Sequence, residues 1–153
     1  MLSLSIDLRE VVEEDQERGR SVIELVQHFD PCFMVAATLH HDRAYTVVHS
    51  VRPIYVKDTP FELLTKIQAA TEREWRSLGS IIDSVENGPD FRVYDDMEKS
   101  ILINMDLVKA IRPITKFQTK FEFKGKAGNV IIRLPLEWLD VPKNKIKKET
   151  KNG

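Results

Sequence analysis

Apolar and polar residues alternate along Leu2 to Leu8, LSLSIDL, the period of a strand with one buried face. Arg9 to Arg20 is acidic, with only Val11 and Val12 apolar, and is read as a helical turn or a surface loop. Ser21-Val22-Ile23-Glu24 then has the capping-box form, a hydroxyl followed by Glu three residues on. Val22, Leu25, Val26 and Phe29 recur at i, i+3, i+4 and i+7, which predicts a helix over 22–29 ended by Asp30-Pro31. Cys32 to Leu39 and Ala44 to Val51 flank the polar His40-His41-Asp42-Arg43 and read as a β-hairpin, with Pro53 to Lys57 as a further strand. Thr59-Pro60-Phe61-Glu62 combines a Thr cap, a first-turn Pro and a box Glu, so a helix is predicted over 60–78. Its apolar face reads as Phe61, Leu64, Gln68, Thr71, Trp75 and Leu78, with Ile67 beside it. A turn cluster at Glu86 to Asp90 precedes a strand at Phe91 to Tyr94.

The stretch Ile101 to Leu139 reads as three consecutive strands, ILINMDLVKAI, KFQTKFEFK and NVIIRLPL. If Lys124 faces Asn129 across the GKAG loop, then Phe123 faces Val130, Phe121 faces Ile132, Thr119 faces Leu134 and Phe117 faces Leu136. Every inward position in that register is apolar or threonine, which supports it. The same register opposes Lys120 to Arg133 on the outer face, and a tight turn near Thr115-Lys116 pairs Lys109 with Glu122 and Ile111 with Lys120. The expected fold is α+β: a single domain over 1–141, an antiparallel sheet in one or two parts, and the helices 22–29 and 60–78 packed on it. The lysine-rich residues 142–153 are expected to fray.

Charge sharpens this picture. The 153 residues carry a net charge of only −1. Residues 1–98 hold ten Lys/Arg against nineteen Asp/Glu, net −9, and residues 99–153 hold thirteen against five, net +8. Such a split points to an anionic partner for the basic part, to attraction between the halves, or to two simply solvated surfaces. The candidate nucleic-acid-binding residues are Lys109, Lys120, Lys124 and Arg133 on the outer sheet face, with Lys126 in the loop. Lysines and arginines on one rigid face displace the counterions of a phosphate backbone without reading its sequence.

Other chemistry finds little footing. His40 and His49 lie too far apart along a hairpin to share an ion, and Asp30-Pro31 separates His28 from Cys32, so no metal site is expected. Cys32 heads an apolar run and reads as a core residue, and Trp75 and Trp138 as core packing. There is no G-x-S-x-G elbow, H-E-x-x-H pair, Rossmann glycine fingerprint or phosphate-loop pattern, so neither catalytic residues nor a cofactor are assigned. The longest apolar runs fall short of a membrane span, the first residues do not form a signal peptide, and a lone cysteine fits a reducing compartment. A cytoplasmic location without membrane partners is the expectation.

From Ala44 onward the order of elements resembles the ComK family of competence transcription factors. The residues that carry this are Arg52-Pro53-Ile54, Asp106 to Ala110, Thr119 to Gly125 and Leu134-Pro135-Leu136, over about two thirds of the chain. The family's S-x-Y-x-G-R motif and cysteine-containing segment are absent here. The strand pattern is also similar to LytTR-type β domains. The resemblance implies DNA binding and transcriptional control. Two functional expectations follow: a non-catalytic regulator that binds DNA through the basic C-terminal sheet, or a protein–protein interaction module, adaptor or inhibitor, that does not bind nucleic acid.

Overall fold

The computed structural model describes residues 4–16, 19–40, 45–77, 89–96, 99–125 and 128–147. Strands β1 (Ile6–Gln16), β2 (Gly19–Phe29), β3 (Ala36–His40), β4 (Tyr45–His49) and β5 (Pro53–Val56) precede the helix α1 (Pro60–Ser77). After it come β6 (Phe91–Asp95) and β7 (Ser100–Asn104), which complete a seven-stranded antiparallel sheet in the order β2-β1-β5-β4-β3-β7-β6. Strands β8 (Val108–Thr115), β9 (Gln118–Phe123) and β10 (Asn129–Ile132) form a second, three-stranded antiparallel sheet. Among the described residues the architecture is mostly antiparallel sheet with one long helix. The expected hairpin 32–51, the strand from Pro53 and the strand from Phe91 are all present, and the sheet is in two parts.

Two cores lie on opposite faces of the large sheet. On one face, Leu63, Ile67 and Ala70 of α1 pack on Ile6, Leu8, Ala37, Val48, Val56 and Leu102. On the other, Ala36, Tyr94, Ile101 and Ile103 meet Val108, Ile111, Phe121, Phe123 and Ile132 of the small sheet. Alternation makes this possible, since Ala36 and Ala37, or Ile101 and Leu102, serve different layers. Each fully buried aliphatic side chain contributes about 1.5–3 kcal/mol, so both layers are held mainly by apolar burial.

Helix α1 begins as its sequence predicts. The Thr59 hydroxyl accepts the Glu62 N–H at 3.1 Å, and the Glu62 carboxylate accepts the Thr59 N–H at 3.4 Å. Next to this box the Asp58 carboxylate is fully buried. It accepts the Arg9 N–H at 2.9 Å, the Arg9 Nε at 3.1 Å and the Lys66 Nζ at 2.7 Å, joining β1 to the helix. The buried stripe of α1 is Leu63, Ile67, Ala70 and Thr71, whereas Phe61 is 67% exposed and Gln68 is also exposed. Of the expected face, Ile67 and Thr71 are buried and Leu64 packs half-buried on the core, Phe61 and Gln68 are turned out, and the Trp75 side chain and Leu78 lie outside the described residues.

Three expectations are corrected. Residues 22–29 are not a second helix but part of β2, paired along its whole length with β1 from Ile6↔Phe29 to Gln16↔Gly19. Of residues 9–20, read as a helical turn or loop, 9–16 lie in β1 and 19–20 begin β2. Val11, Val12, Val22, Ile23 and Val26 are β-branched, and their strand preference with eleven paired residues outweighs a helical spacing carried by four positions. The third concerns ILINMDLVKAI, which is two strands in different sheets. The Asn104 side-chain Oδ1 accepts the Asp106 N–H at 3.2 Å, starting a 3-10 turn over Met105–Leu107, and its Nδ2 donates to the Met34 carbonyl at 2.9 Å. This Asx-type turn carries the chain from one sheet to the other.

Candidate interaction surface

The small sheet holds the predicted basic site, and its register decides what that site looks like. β9 and β10 pair as Glu122↔Asn129, Phe121↔Val130, Lys120↔Ile131 and Thr119↔Ile132. This is two residues from the expected register, so the buried face is preserved while the outer neighbours change. The four-residue connection is Lys124 to Ala127, closed by the Phe123 N–H on the Gly128 carbonyl at 3.3 Å, with Gly125 and Gly128 in left-handed conformations (φ 74° and 82°). Lys120 therefore faces Ile131, not Arg133.

On the other side of β9, the pairing shifts between Val108 and Ala110, leaving Lys109 as an extra residue in a bulge. That insertion reverses the alternation of β8. Ile111, expected on the outer face, is fully buried, and Arg112 faces Lys120 there instead. Glu122 closes on both cations, with the Arg112 Nε at 2.5 Å and the Lys120 Nζ at 3.8 Å. Lys109 and Lys124 are exposed. Arg133 is exposed past the end of β10, its backbone N–H donating to Asp96 at 3.3 Å. Lys126 lies outside the described residues. The small sheet thus gathers Arg112, Lys120 and Glu122 at its centre, with Lys109 and Lys124 apart from them.

The segment after β10 builds a different kind of surface. Thr119 Oγ1 donates to the Leu134 carbonyl at 2.9 Å, and a 3-10 turn follows over Leu136–Trp138. The Asp140 carbonyl accepts Tyr94 Oη at 2.6 Å and an Arg92 guanidinium N–H at 3.0 Å. Burial, with the Asp140 and Asp90 carboxylates nearby, pushes the Tyr94 phenol up to about 12, so it is a donor across the ordinary pH range. The segment then turns back along β8. Ile146 bridges Ile111 in parallel, the Lys147 N–H donates to the Ile111 carbonyl at 2.9 Å, and Lys145 Nζ donates to the Met105 carbonyl. Burial, then the neighbouring Lys124 ammonium, lowers the Lys145 pKa. The beginning of the lysine-rich tail, 142–147, thus lies against β8, and residues 148–153 lie outside the described residues.

Between this returning segment and the β8–β9 turn runs an open groove of about 980 Å³. Pro113, Pro135, Leu136, Leu139, Val141 and Ile146 line it, with Lys116, Lys143 and Glu137 as its charged members. Phe117 and Trp138 also line it and are 70% and 72% exposed. Phe117 stands at the tip of a two-residue turn between Thr115 and Gln118, its N–H on Thr115 Oγ1 at 3.2 Å. Sequence reasoning set Phe117 inward against Leu136 and gave Trp138 to the core. Both were missed because the ladder was extended past its ends: β10 stops at Ile132, and Pro135 cannot donate to a continued ladder.

Cys32 is partly buried, and burial, followed by the nearby Asp30 carboxylate, pushes its thiol up to about 11. Among the described residues, no group of three or more His, Cys, Asp or Glu side chains is placed to hold a metal ion. Nor is any described helix long and apolar enough to cross a membrane. No protein-family model, curated protein or solved structure matched the chain.

Proposed function

We propose that the chain is a non-catalytic protein-interaction module that receives an apolar, acid-flanked segment of another protein in the C-terminal groove. The observation that carries this reading is the exposure of Trp138 and Phe117 on one groove lined largely by proline and aliphatic residues, with Lys116, Lys143 and Glu137 among them. Exposed aromatics beside an apolar hollow are the usual anchors of protein interfaces. The groove is also held in shape, since Asp140, Lys145, Ile146 and Lys147 all bond to other elements. A preformed site saves the ordering cost of binding. Lys116 and Lys143 favour carboxylates beside the apolar anchor.

A second reading is the DNA regulator implied by the resemblance to ComK, with Lys109, Lys120, Lys124, Lys126 and Arg133 as phosphate contacts. The surplus of +8 over residues 99–153 supports it. Glu122 weighs the other way, because it already engages Arg112 and Lys120.

A phage-displayed peptide library and a labelled DNA duplex at low salt separate the two. Under the groove reading, selected peptides carry a large apolar residue beside Asp or Glu, and Trp138→Ala or Phe117→Ala weakens them about tenfold, or ~1.4 kcal/mol. Peptides indifferent to both substitutions refute the groove. Duplex binding that falls steeply with salt, is lost in Lys109→Glu/Lys120→Glu and is unchanged in Trp138→Ala puts the DNA reading in its place.

A further inference from the structure

Four strands end the two sheets, β2, β6, β8 and β10, and three of their outer edges are short or engaged. β10 runs only from Asn129 to Ile132. Ile146 and Lys147 lie along β8, and β6 is tied through Arg92 and Tyr94 to the Asp140 carbonyl. The fourth, β2, is eleven residues long and pairs with β1 alone among the described residues, in one register from end to end. Its strand GRSVIELVQHF holds no proline and no lysine. Leu25 and Val26, on opposite faces by alternation, are 49% and 68% exposed. Natural edge strands avoid pairing with other chains by being short, bulged, studded with lysine, broken by proline or covered. Among the described residues, β2 from Glu24 to Phe29 has none of these protections.

This edge is also complementary to itself. Two copies joined through antiparallel β2 strands are related by a two-fold axis normal to the sheet, so one residue must face its own copy. With Val26 on the axis, Leu25 faces Gln27 and Glu24 faces His28, each twice. Asp7 already takes His28 Nδ1 at 2.6 Å, and the Lys57 ammonium reaches Glu24 at 2.9 Å. The contact therefore builds two rows of carboxylate, imidazole, carboxylate and ammonium: Asp7 and His28 of one copy, then Glu24 and Lys57 of the other. No other centre between Glu24 and His28 does this. Centring on Glu24 or His28 opposes like groups, on Leu25 sets Glu24 against Val26, and on Gln27 sets Val26 against His28. Opposite charges facing each other across strands stabilise a pairing, and like charges weaken it.

We infer that the β2 edge is a self-association site, where a second copy of this chain adds its own β2 antiparallel to form a two-fold dimer. Residues 23–29 of the two copies pair over roughly 23 Å at ~3.3 Å per residue, and the two large sheets become one. Main-chain hydrogen bonds supply the attraction, and Val26 with the Glu24 and His28 pairs fixes the register. Both helices α1 fall on one side of the joined sheet and both small sheets on the other. The contact closes on itself, so it stops at two copies. A single strand pair is at the small end of specific interfaces, which corresponds to a Kd of roughly 10–100 µM. The C-terminal groove takes no part in it.

Sedimentation velocity on the full-length chain over roughly 5–500 µM tests this. The average mass should climb from 17.7 kDa toward twice that value and stop there. Val26→Lys, which sets two ammonium groups against each other at an exposed position, should stay monomeric, with circular dichroism matching wild type. Glu24→Lys sets an ammonium against the imidazole, and His28→Glu sets a carboxylate against Glu24; each should weaken the dimer about tenfold. Mixed in equal amounts, these two variants should recover a 1:1 dimer. The introduced ammonium then faces the introduced carboxylate while the native Glu24 and His28 face each other, and recovery shows that both variants are folded. A wild-type chain that stays monomeric, association that continues past the dimer, association untouched by Val26→Lys, or a mixture without recovery each overturns the inference. Loss of the dimer in Trp138→Ala also overturns it and moves the contact to the groove. A dimer that forms while Trp138-dependent peptide binding fails removes the groove reading and supports this one.

Discussion

Replacing Asp58 by Asn removes a single charge with almost no change in shape, at a carboxylate with no exposed surface. Three N–H donors converge on it: the Arg9 backbone, the Arg9 side chain and Lys66. Hydrogen bonds to a charged group are worth about 1.5–3 kcal/mol each, but that figure cannot be tripled here. The Arg9 and Lys66 side chains are 40% and 33% exposed and regain water when released, so their share falls toward the surface ion-pair scale of roughly 0.2–1 kcal/mol each. The backbone N–H of Arg9 has no such escape, and an Asn amide turned toward it or toward Lys66 opposes donor to donor. The expected cost is about 2–3 kcal/mol, a fall in Tm of roughly 4–12 °C for a chain of this length.

The pH dependence supplies a sharper check. Burial pushes the Asp58 carboxyl up, but Lys66 and the Arg9 N–H groups together hold it below the usual carboxylate value. A depressed folded-state pKa gives stability that is present above the unfolded value of about 3.9 and is lost as pH falls through the folded one. Urea unfolding of wild type and Asp58→Asn should therefore differ fully at neutral pH and converge on acidification below about pH 4. A midpoint unchanged by the substitution, or a difference that stays constant down to pH 3, would show that the three donors are not what Asp58 contributes.

Further expectations follow from burial and pairing elsewhere. Phe121→Ala empties the centre of the second core, where its ring centroid stands 5.6 Å from that of Tyr94, and should cost about 3–5 kcal/mol by urea denaturation. Trp138→Ala, by contrast, should shift stability by no more than about 0.5 kcal/mol, since the residue is largely exposed. Glu122→Gln frees Arg112 and Lys120; an increase in duplex affinity at low salt is expected if the sheet face contacts phosphate, and an unchanged affinity argues against that face. Cys32 should react with a thiol reagent much more slowly than a free cysteine at pH 8, with its rate still climbing beyond pH 9, because its thiol ionises near 11.

The parts legible in the sequence are those where a local rule and a tertiary contact agree. The Thr59 to Glu62 box fixes the start of α1 by its own hydrogen bonds, and within the expected 32–51 hairpin Ala36–His40 pairs with Tyr45–His49, with neighbours such as Ala36 and Ala37 serving opposite faces. Val22 to Phe29 fits a helical spacing through four apolar residues, and only its pairing with Ile6 to Glu13 across the hairpin reveals the strand. The basic site failed more subtly. One extra residue at Lys109 and a two-residue slip between β9 and β10 changed every outer-face neighbour without disturbing the core pattern that justified the register. The groove was hidden because its residues come from a turn and a post-strand segment, where no periodicity speaks.

Asn104 has a consequence for the order in which the chain can close. It ends β7, and β7 is the strand that lies between β3 and β6, pairing Ala36 with Ile103 across a wide span of sequence. A nascent chain that has emerged only as far as α1 holds five strands and the helix, with the β3 edge of that sheet still open. The three strands after Asn104 follow each other as a meander and need only near neighbours to pair. Synthesis from the N-terminus therefore leaves the slow, long-range step to the moment when residues 100–104 appear, and the small sheet, late in sequence but local in its contacts, closes quickly behind it.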